Sequence, residues 1–284
     1  MARRDTNGAY RGPTVTADDP PTVDDGVPSK CLTFTLTGDW GHFRRIDRTV
    51  TKQTYRVPPR TTLAGLLAAV VGVGRDGYYD IFADDTSAIA VELLSPPRTV
   101  SLPSLGLGTN PNETFSSSGG TGNKTVKVQY PDSTAARQLH SYHYLVEPAY
   151  RVSVAVEDPV FYGTLRDRLE EGVAYYPPTL GLSELHAAIG YEAKQTGEHA
   201  VERVASPDRC TVDSLVPNGV DAVIPDTEQS YAVERVPGTM TADETSRKTT
   251  SYVDYAFRED TGQLTVDASK VEVAKVDGRT LAFV

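Results

Sequence analysis

Two stretches with strand-like alternation enclose one apolar, helix-like stretch near the start of the chain. Cys31–Trp40 (CLTFTLTGDW) alternates apolar and small polar residues, and Ser87–Pro96 (SAIAVELLSP) is a second predicted strand. The apolar positions between them recur at helical spacing: Leu63, Leu66, Leu67, Val70 and Val71. A strand, a helix and a strand in this order predict a sheet with a helix packed on one face.

The ends of this helix carry recognisable signals. Thr61 or Thr62 can cap its start, and Gly72 and Gly74 are expected to end it. The run Gly72–Gly77 spells G-x-G-x-x-G. A dinucleotide site needs that motif after a strand, and here it follows a helix, so it is interpreted as a helix stop.

The rest of the chain extends the pattern. Residues 97–140 lose all periodicity, which is typical of a functional loop or an extended hairpin. Tyr142–Glu157 predicts a strand pair or one bent strand, and Asp158 with Pro159 opens a helix running to about Leu169. Short strands and turns follow. The order predicts an α+β, ferredoxin-like or RNA-recognition-motif fold with a long β-hairpin insertion and a β-rich C-terminal part.

Three regions are therefore expected. Residues 1–30, acidic and proline-rich, are interpreted as a disordered lead-in. Residues 31–190 form the ferredoxin-like domain, with the insertion at about 97–140. Residues 191–284 form the β-rich part packed on that domain.

The composition is acidic, with 28 Lys and Arg against 38 Asp and Glu and a net charge of -10. Few of the basic residues are lysines, which is typical of a salt-adapted, haloarchaeal protein whose surface self-repulsion is screened by salt. Acidity of this origin does not exclude a nucleic-acid ligand. No apolar run approaches the roughly 18 residues of a membrane span, so a soluble, cytoplasmic protein is expected.

Metal and cofactor sites are not indicated by the sequence. Cys31 and Cys210 give neither a disulfide framework nor a metal-binding spacing. His140 and His143 lack the acidic residue and third ligand of a metalloprotease. We therefore expect no cofactor.

One segment is basic within this acidic chain. Between Gly38 and Arg60 there are six Lys or Arg residues and two Asp, a balance of six minus two, or +4. Arginines bind phosphates through paired hydrogen bonds, and aromatic rings stack on unpaired bases. The candidate RNA-binding residues here are Trp40, His42, Phe43, Arg44, Arg45, Lys52, Tyr55, Arg56 and Arg60. The alternative is a solvated basic loop whose cations pair with acidic neighbours.

The insertion offers two further candidates. Lys124 and Lys127 could flank a hairpin that reaches over a bound strand. The alternative is a mobile surface loop.

Leu32–Phe82 resembles the amino-terminal signature of the CRISPR-associated Cas family-five proteins. In that family a strand leads through G-x-x-(A/G)-x-F-R to T-Y-x-x-P-P-x-(S/T)-T-x-x-G-L-L-A. The two elements here are Gly38–Arg44 (GDWGHFR) and Thr54–Ala68 (TYRVPPRTTLAGLLA). Weaker matches follow at His143–Val154 and Tyr175–Ile189, and the composition suggests a haloarchaeal type I-B member.

The resemblance implies a role as a subunit of the Cascade interference complex in antiviral defence. Such proteins cap the 5′ handle of the crRNA, contact the backbone subunit and the large PAM-reading subunit, and meet target DNA indirectly. Their long hairpin, or thumb, corresponds to residues 97–140. The residues that the resemblance places at the handle are Phe43, Arg44, Tyr55, Arg56 and Arg60.

One branch of the family, in type I-C systems, cleaves precursor guide RNA with a tyrosine and a lysine–histidine pair. Tyr55 matches the tyrosine, but no Lys-His dipeptide occurs here. A non-catalytic binding subunit is therefore predicted. The alternatives are an endoribonuclease using Tyr55 with His140 or Lys127, and an unrelated ferredoxin-like domain for another small ligand.

Overall fold

The computed structural model describes residues 10–45, 51–107, 114–118, 123–127, 137–191, 196–204, 209–242 and 246–284. For residues 106–138 it describes the backbone of the strands alone. The described residues are mostly in strands, with two α-helices: α1 (Arg60–Val71) and α2 (Pro159–Glu171).

Nine strands of the central sheet and of the long insertion are labelled here in chain order. They are β1 (Lys30–Thr37), β2 (Ser87–Leu93), β3 (Thr99–Leu107), β4 (Thr114–Ser118), β5 (Asn123–Lys127), β6 (Arg137–Val146), β7 (Ala149–Val156), β8 (Ala188–Gly190) and β9 (Gly197–Ala200). Short strands beside them are named by their residues: Val23–Asp24, Val27–Pro28, Trp40–Gly41, Phe43–Arg44, Thr51–Lys52 and Thr54–Tyr55.

The central sheet is antiparallel, and β1 lies inside it. β7 pairs with β1 on one side and with β2 on the other, while β8 and β9 both pair with the free side of β1. Leu32, Phe34 and Leu36 alternate on one face of β1 and share a core cluster with residues of α1 and α2. The helices therefore cover one face of the sheet.

The helix ends follow the local sequence with one exception. α2 is capped by Asp158, whose carboxylate accepts a hydrogen bond from Phe161 N at 2.7 Å, as predicted. Gly72 ends α1 in the left-handed conformation (φ 83°), which confirms the helix-stop interpretation. Capping by Thr61 or Thr62 is wrong. Extended Pro59 (ψ 144°) directly precedes the helix, and its carbonyl accepts the first helical hydrogen bonds.

The irregular region after β2 is an antiparallel ribbon in its described part. β3 pairs with β6 from Thr99↔Leu145 to Leu107↔Arg137, and β4 pairs with β5. Two short strands of the basic segment join the same ribbon. Trp40–Gly41 pairs with β6 antiparallel, and Thr51–Lys52 pairs with it in parallel. The ribbon and the basic segment thus form one surface.

The C-terminal part is built from short antiparallel pairs, as expected. Its strands are Glu202–Arg203, Cys210–Val212, Val216–Pro217, Tyr231–Pro237, Met240–Ala242, Arg247–Thr249, Tyr252–Arg258, Leu264–Val266, Ala274–Val276 and Arg279–Leu281, with a 3-10 turn at Val220–Ala222. It is joined to the sheet by buried charges: Glu92 on β2 accepts hydrogen bonds from Arg151 (3.0 Å) and from Arg279.

The lead-in differs from the prediction of disorder. Residues 1–9 lie outside the described residues, but residues 10–30 lie against the domain. Val15 N donates to Thr164 Oγ1 (2.9 Å), Ala17 N donates to Pro159 O (2.9 Å), and Ala17 is buried. Tyr10 bridges to Val73 at the end of α1. Backbone hydrogen bonds to the helices order this segment although it lacks apolar periodicity.

Among the described residues, no helix is both long enough and apolar enough to span a bilayer.

Candidate nucleic-acid interface

A row of four rings lies where the basic segment meets β6. His140, Tyr142 and Tyr144 occupy alternate positions of this strand and so share one face. Their neighbouring ring centroids are 6.4 Å and 6.1 Å apart, and Trp40 lies 6.1 Å from Tyr144. All four side chains are partly exposed. We refer to Trp40, Tyr144, Tyr142 and His140 as the ring row.

His42 supports this row from beneath. Its side chain is fully buried, and its ring centroid lies 5.3 Å from Tyr142 and 5.8 Å from Tyr144. Nδ1 lies 2.7 Å from the carbonyl of His143 and donates to it, since a carbonyl can only accept. Burial lowers the pKa of His42, and the charges of Arg44 and His143 lower it further. The hydrogen bond to the His143 carbonyl acts in the opposite direction. The imidazole is therefore neutral near pH 7.

Two cations flank the row at its His140 end. Arg44 is exposed, and Lys52 follows Thr51 on the short strand that pairs with Ser141–Tyr142. Burial lowers the pKa of His140, and the charges of Lys52 and Arg44 lower it further. Among the described residues Arg44 makes no ion pair. The predicted residues Trp40, Arg44 and Lys52 thus lie together on an accessible surface.

Arg60 does not lie on that surface. It is fully buried, and its guanidinium donates to Phe82 O (2.7 Å), Ser87 O (3.2 Å) and Ser87 Oγ (2.8 Å). Asp84 lies 3.3 Å away. The prediction of RNA binding by Arg60 is corrected, because this side chain holds the segment after α1 to the start of β2.

Phe43 and Tyr55 belong to the core rather than to a stacking surface. They face each other across the pairing of Phe43–Arg44 with Thr54–Tyr55, and both are buried. The guanidinium of Arg45 lies 5.4 Å from the ring centroid of Tyr55. Neither ring is open to a base, which corrects the prediction for both residues. His42 likewise has no exposed surface, and its ring contacts Tyr142 and Tyr144 of the ring row.

Arg45 and Arg56 are held by carboxylates of the C-terminal part. Arg56 Nε lies 3.8 Å from Glu234, its Nη1 donates to Glu259, and Arg45 Nη1 lies 4.0 Å from Glu234. Burial raises the pKa of Glu234, and Arg56 and Arg45 oppose that rise. For these two arginines the alternative interpretation, cations paired with acidic neighbours, describes the structure.

Lys124 and Lys127 lie on β5, and their side chains fall outside the described residues. Tyr142 and Tyr144 were missed as candidates. The signal for them was the alternation of rings in His140-Ser141-Tyr142-His143-Tyr144, which has the period of a strand. Within the described part of the chain, no three His, Cys, Asp or Glu side chains cluster as metal ligands would.

A family model described as CRISPR-associated protein (Cas_Cas5) matches residues 31–251. The chain belongs to the CRISPR-associated Cas5 family. The match covers more than half of the chain and includes the basic segment, the ribbon and both helices. No curated protein matches the chain.

Several solved structures are similar to this Cas5 family member. A chain of a "CRISPR RNA-guided surveillance complex" is 18% identical, with 84% of this chain and 92% of that chain covered and a TM-score of 0.48. A chain of the Type III-B Cmr-beta complex bound to cognate target RNA is 11% identical, with 84% and 86% covered and a TM-score of 0.43. The functionally uncharacterised SMU1763c of Streptococcus mutans is 12% identical, with 86% and 96% covered and a TM-score of 0.34.

Proposed function

We propose that this Cas5 family member is a non-catalytic RNA-binding subunit of a CRISPR RNA-guided effector complex of the Cascade type. In this role it caps the 5′ handle of the crRNA. One observation carries the proposal: the ring row lies beside Arg44 and Lys52 on an accessible surface of a chain whose net charge is -10.

The chemistry of this surface suits a single-stranded RNA. Stacking on aromatic side chains contributes about 1–3 kcal/mol per base and does not depend strongly on sequence. Arg44 supplies a guanidinium for phosphate oxygens, and Lys52 supplies a point charge. Side chains two positions apart on a strand are about 6.6 Å apart. Such a spacing fits bases of an unstacked strand better than the 3.4 Å steps of a stacked helix.

The partners follow from the proposed role. The ribbon of β3 to β6 would reach over the RNA beside the backbone subunit, and the large PAM-reading subunit would contact the same end of the complex. Target DNA would be met indirectly. The acidic composition supports a haloarchaeal, type I-B member of the family.

We assign the central domain to the ferredoxin-like class. The support is its order of strand, helix, strand, insertion, strand, helix and strand, with β1 and β7 inside an antiparallel sheet.

A catalytic role is disfavoured by the position of Tyr55. An attacking or proton-transferring group must reach the scissile phosphate, and the Tyr55 side chain is buried next to Arg45. Incubation of the purified protein with precursor guide RNA without metal tests this point. Specific cleavage at the handle that is lost in Tyr55→Phe would establish the enzyme instead.

The binding role is tested with the double variant Tyr142→Ala/Tyr144→Ala. It removes two adjacent rings, so guide RNA affinity of the full-length protein should fall at least tenfold. Leu139→Ala is the matched control, because Leu139 is on β6 but points to its opposite face and is 68% exposed. Equal RNA retention by the double variant and the control, in the protein and in the assembled complex, would refute the assigned surface.

A further inference from the structure

A tight turn of the chain lies against the buried histidine beneath the ring row. Leu180 N donates to Leu185 O (2.8 Å), which closes the turn of residues 180–185. The turn docks on the basic segment, because His42 N donates to Leu180 O (2.9 Å). At Gly181 the approach is so close that a Cβ atom would lie 2.0 Å from His42 O. This turn therefore has a fixed position beside the ring row.

The turn carries an exposed carboxylate, Glu184. Ser183 Oγ donates to its Oε2 (3.1 Å), and among the residues that the structure describes no cation pairs with it. The turn lies at the Trp40 and Tyr144 end of the row, because a Cβ atom at Gly38, two residues before Trp40, would lie 2.6 Å from Leu180 Cδ1. Burial raises the pKa of Tyr144 and the charge of Glu184 raises it further, while Glu184 opposes the lowering of the pKa of His42. Lys52 acts on His140 at the other end of the row, and Arg44 acts on both His140 and His42.

The two ends of the ring row are thus electrostatically different. The His140 end carries cations that suit phosphate, while the Tyr144 end carries a carboxylate that repels it. A carboxylate placed beside a bound RNA strand weakens binding unless it accepts hydrogen bonds from a base. An ionised carboxylate can only accept, and it has two oxygens side by side.

We propose that Glu184 is a specificity-determining residue that accepts hydrogen bonds from the edge of a guanine base lying at the Tyr144 end of the ring row. This inference rests on the proposed RNA-binding function. Guanine is the base whose Watson–Crick edge presents two adjacent N–H donors, N1 and N2, to two acceptor oxygens. Adenine and cytosine each present an acceptor next to their amino group, and that acceptor would face the carboxylate. Unpaired bases are read on such edges in single-stranded RNA.

The test uses the full-length protein and three eight-nucleotide RNAs. These are oligouridine, the same strand with one guanosine, and the same strand with inosine, which lacks the N2 amino group. The wild type should bind the guanosine strand about tenfold more tightly than oligouridine, because hydrogen bonds to charged groups are strong, with inosine in between. Glu184→Gln and Glu184→Ala should lose this preference and bind oligouridine more tightly than the wild type.

This combination separates base reading from a structural role. A merely structural Glu184 would lower affinity for all three strands alike when replaced. Glu171→Gln is the matched control, since Glu171 is also exposed and lies at the end of α2, and it should leave the guanosine preference unchanged.

Two results would overturn the inference, and each has a different consequence for the proposed function. A guanosine preference that survives in Glu184→Gln, or is absent from the wild type, removes the role of Glu184 and leaves the RNA-binding surface intact. Unchanged oligouridine binding by Tyr142→Ala/Tyr144→Ala removes the proposed function and, with it, the role of Glu184.

Discussion

Arg60 links the first turn of α1 to the segment that leads into β2. Burial lowers the pKa of its guanidinium, opposed chiefly by Asp84, yet an arginine stays charged in a protein. The charge is satisfied by Asp84 and by oxygen atoms of Phe82 and Ser87. A buried cation with this many partners is a structural element of the core.

Arg60→Met should therefore destabilise the fold without changing the proposed RNA-binding surface. The substitution leaves the oxygen atoms without their donor, so the free energy of unfolding should fall by about 3 kcal/mol in urea titrations. Arg235→Met is the control, because Arg235 is 67% exposed and its loss should change that free energy by about 0.5 kcal/mol or less. Equal losses in the two variants would contradict the role given to Arg60.

Arg44 and Lys52 should contribute to RNA binding through phosphate. Each contact with a phosphate releases counterions, so each of Arg44→Ala and Lys52→Ala should reduce the slope of log affinity against log salt by about 0.7 on a single strand. Lys275→Ala, an exposed cation of the C-terminal part, should leave the slope unchanged. The measurement is binding of oligouridine from low to high salt. Slopes identical to the wild type would exclude both residues from the interface.

Among the structural elements, the turn of residues 180–185 holds His42, the residue beneath the ring row, in position. Gly181 has φ +102° and lies against His42 O, so Gly181→Ala adds both backbone strain and a clash. Gly278→Ala is the matched control, with φ +77° and open space around the added methyl group. Strain alone costs about 1–2 kcal/mol.

We expect Gly181→Ala to lower the free energy of unfolding by more than Gly278→Ala does, and to weaken RNA binding as His42 shifts under Tyr142 and Tyr144. Denaturant titration and oligouridine binding measure the two effects. If both variants lost the same stability and both kept full affinity, the turn would have no part in the site.

Another element is attached by an ion pair. Arg247 donates to Asp76 through Nε (2.5 Å) and Nη2 (2.7 Å), which joins the hairpin of Met240–Ala242 and Arg247–Thr249 to the loop after α1. The hydrogen bonds from Arg247 are the main cause that lowers the pKa of Asp76 from 3.8 to about 2. A lowered carboxyl pKa stabilises the folded state above the unfolded pKa, and that contribution is lost as the pH falls through the folded pKa.

Asp76→Asn should therefore weaken the dependence of the free energy of unfolding on pH in the acidic range, from about pH 4 toward 2. At pH 6 the variant should be less stable than the wild type by about 1 kcal/mol or less, because the pair is near the surface. The difference should shrink as the pH falls from about 4 toward 2. Urea titrations at several pH values measure it, with Asp221→Asn as an exposed control. A difference that stays constant down to pH 2 would mean that the ion pair is not its cause.

For the molecule as a whole, the sequence predicts those features that depend on residues close together in the chain. The alternation in β1 and β2, the apolar face of α1 and the cap of α2 are local patterns, and each predicted element forms. Which cations are exposed is decided by residues far away in the chain. Arg56 meets Glu234 and Glu259, and Lys52 meets the strand that carries Tyr142. Such pairings leave no periodic signal, so the sequence predicts the wrong environment for three of the five candidate cations of the basic segment, Arg45, Arg56 and Arg60.

The acidic surface makes a prediction at this same scale. Screening shortens the range of charge repulsion from about 10 Å at 0.1 M salt to about 3 Å at 1 M. The thermal midpoint of unfolding should therefore rise as NaCl increases, most steeply below 1 M, where the range changes most. Scanning fluorimetry or calorimetry of the full-length protein from 0.1 to 2 M NaCl measures it. A flat or falling midpoint would contradict salt adaptation.

The carboxylates that hold Arg45 and Arg56 come from late in the chain, at Glu234 and Glu259. A truncated version ending before Tyr231 would lack both acids and would leave two guanidiniums of the basic segment uncompensated. Its affinity for any polyanion would be inflated by charges that the intact protein neutralises itself. Binding constants obtained with shortened versions would describe an artificial cationic surface.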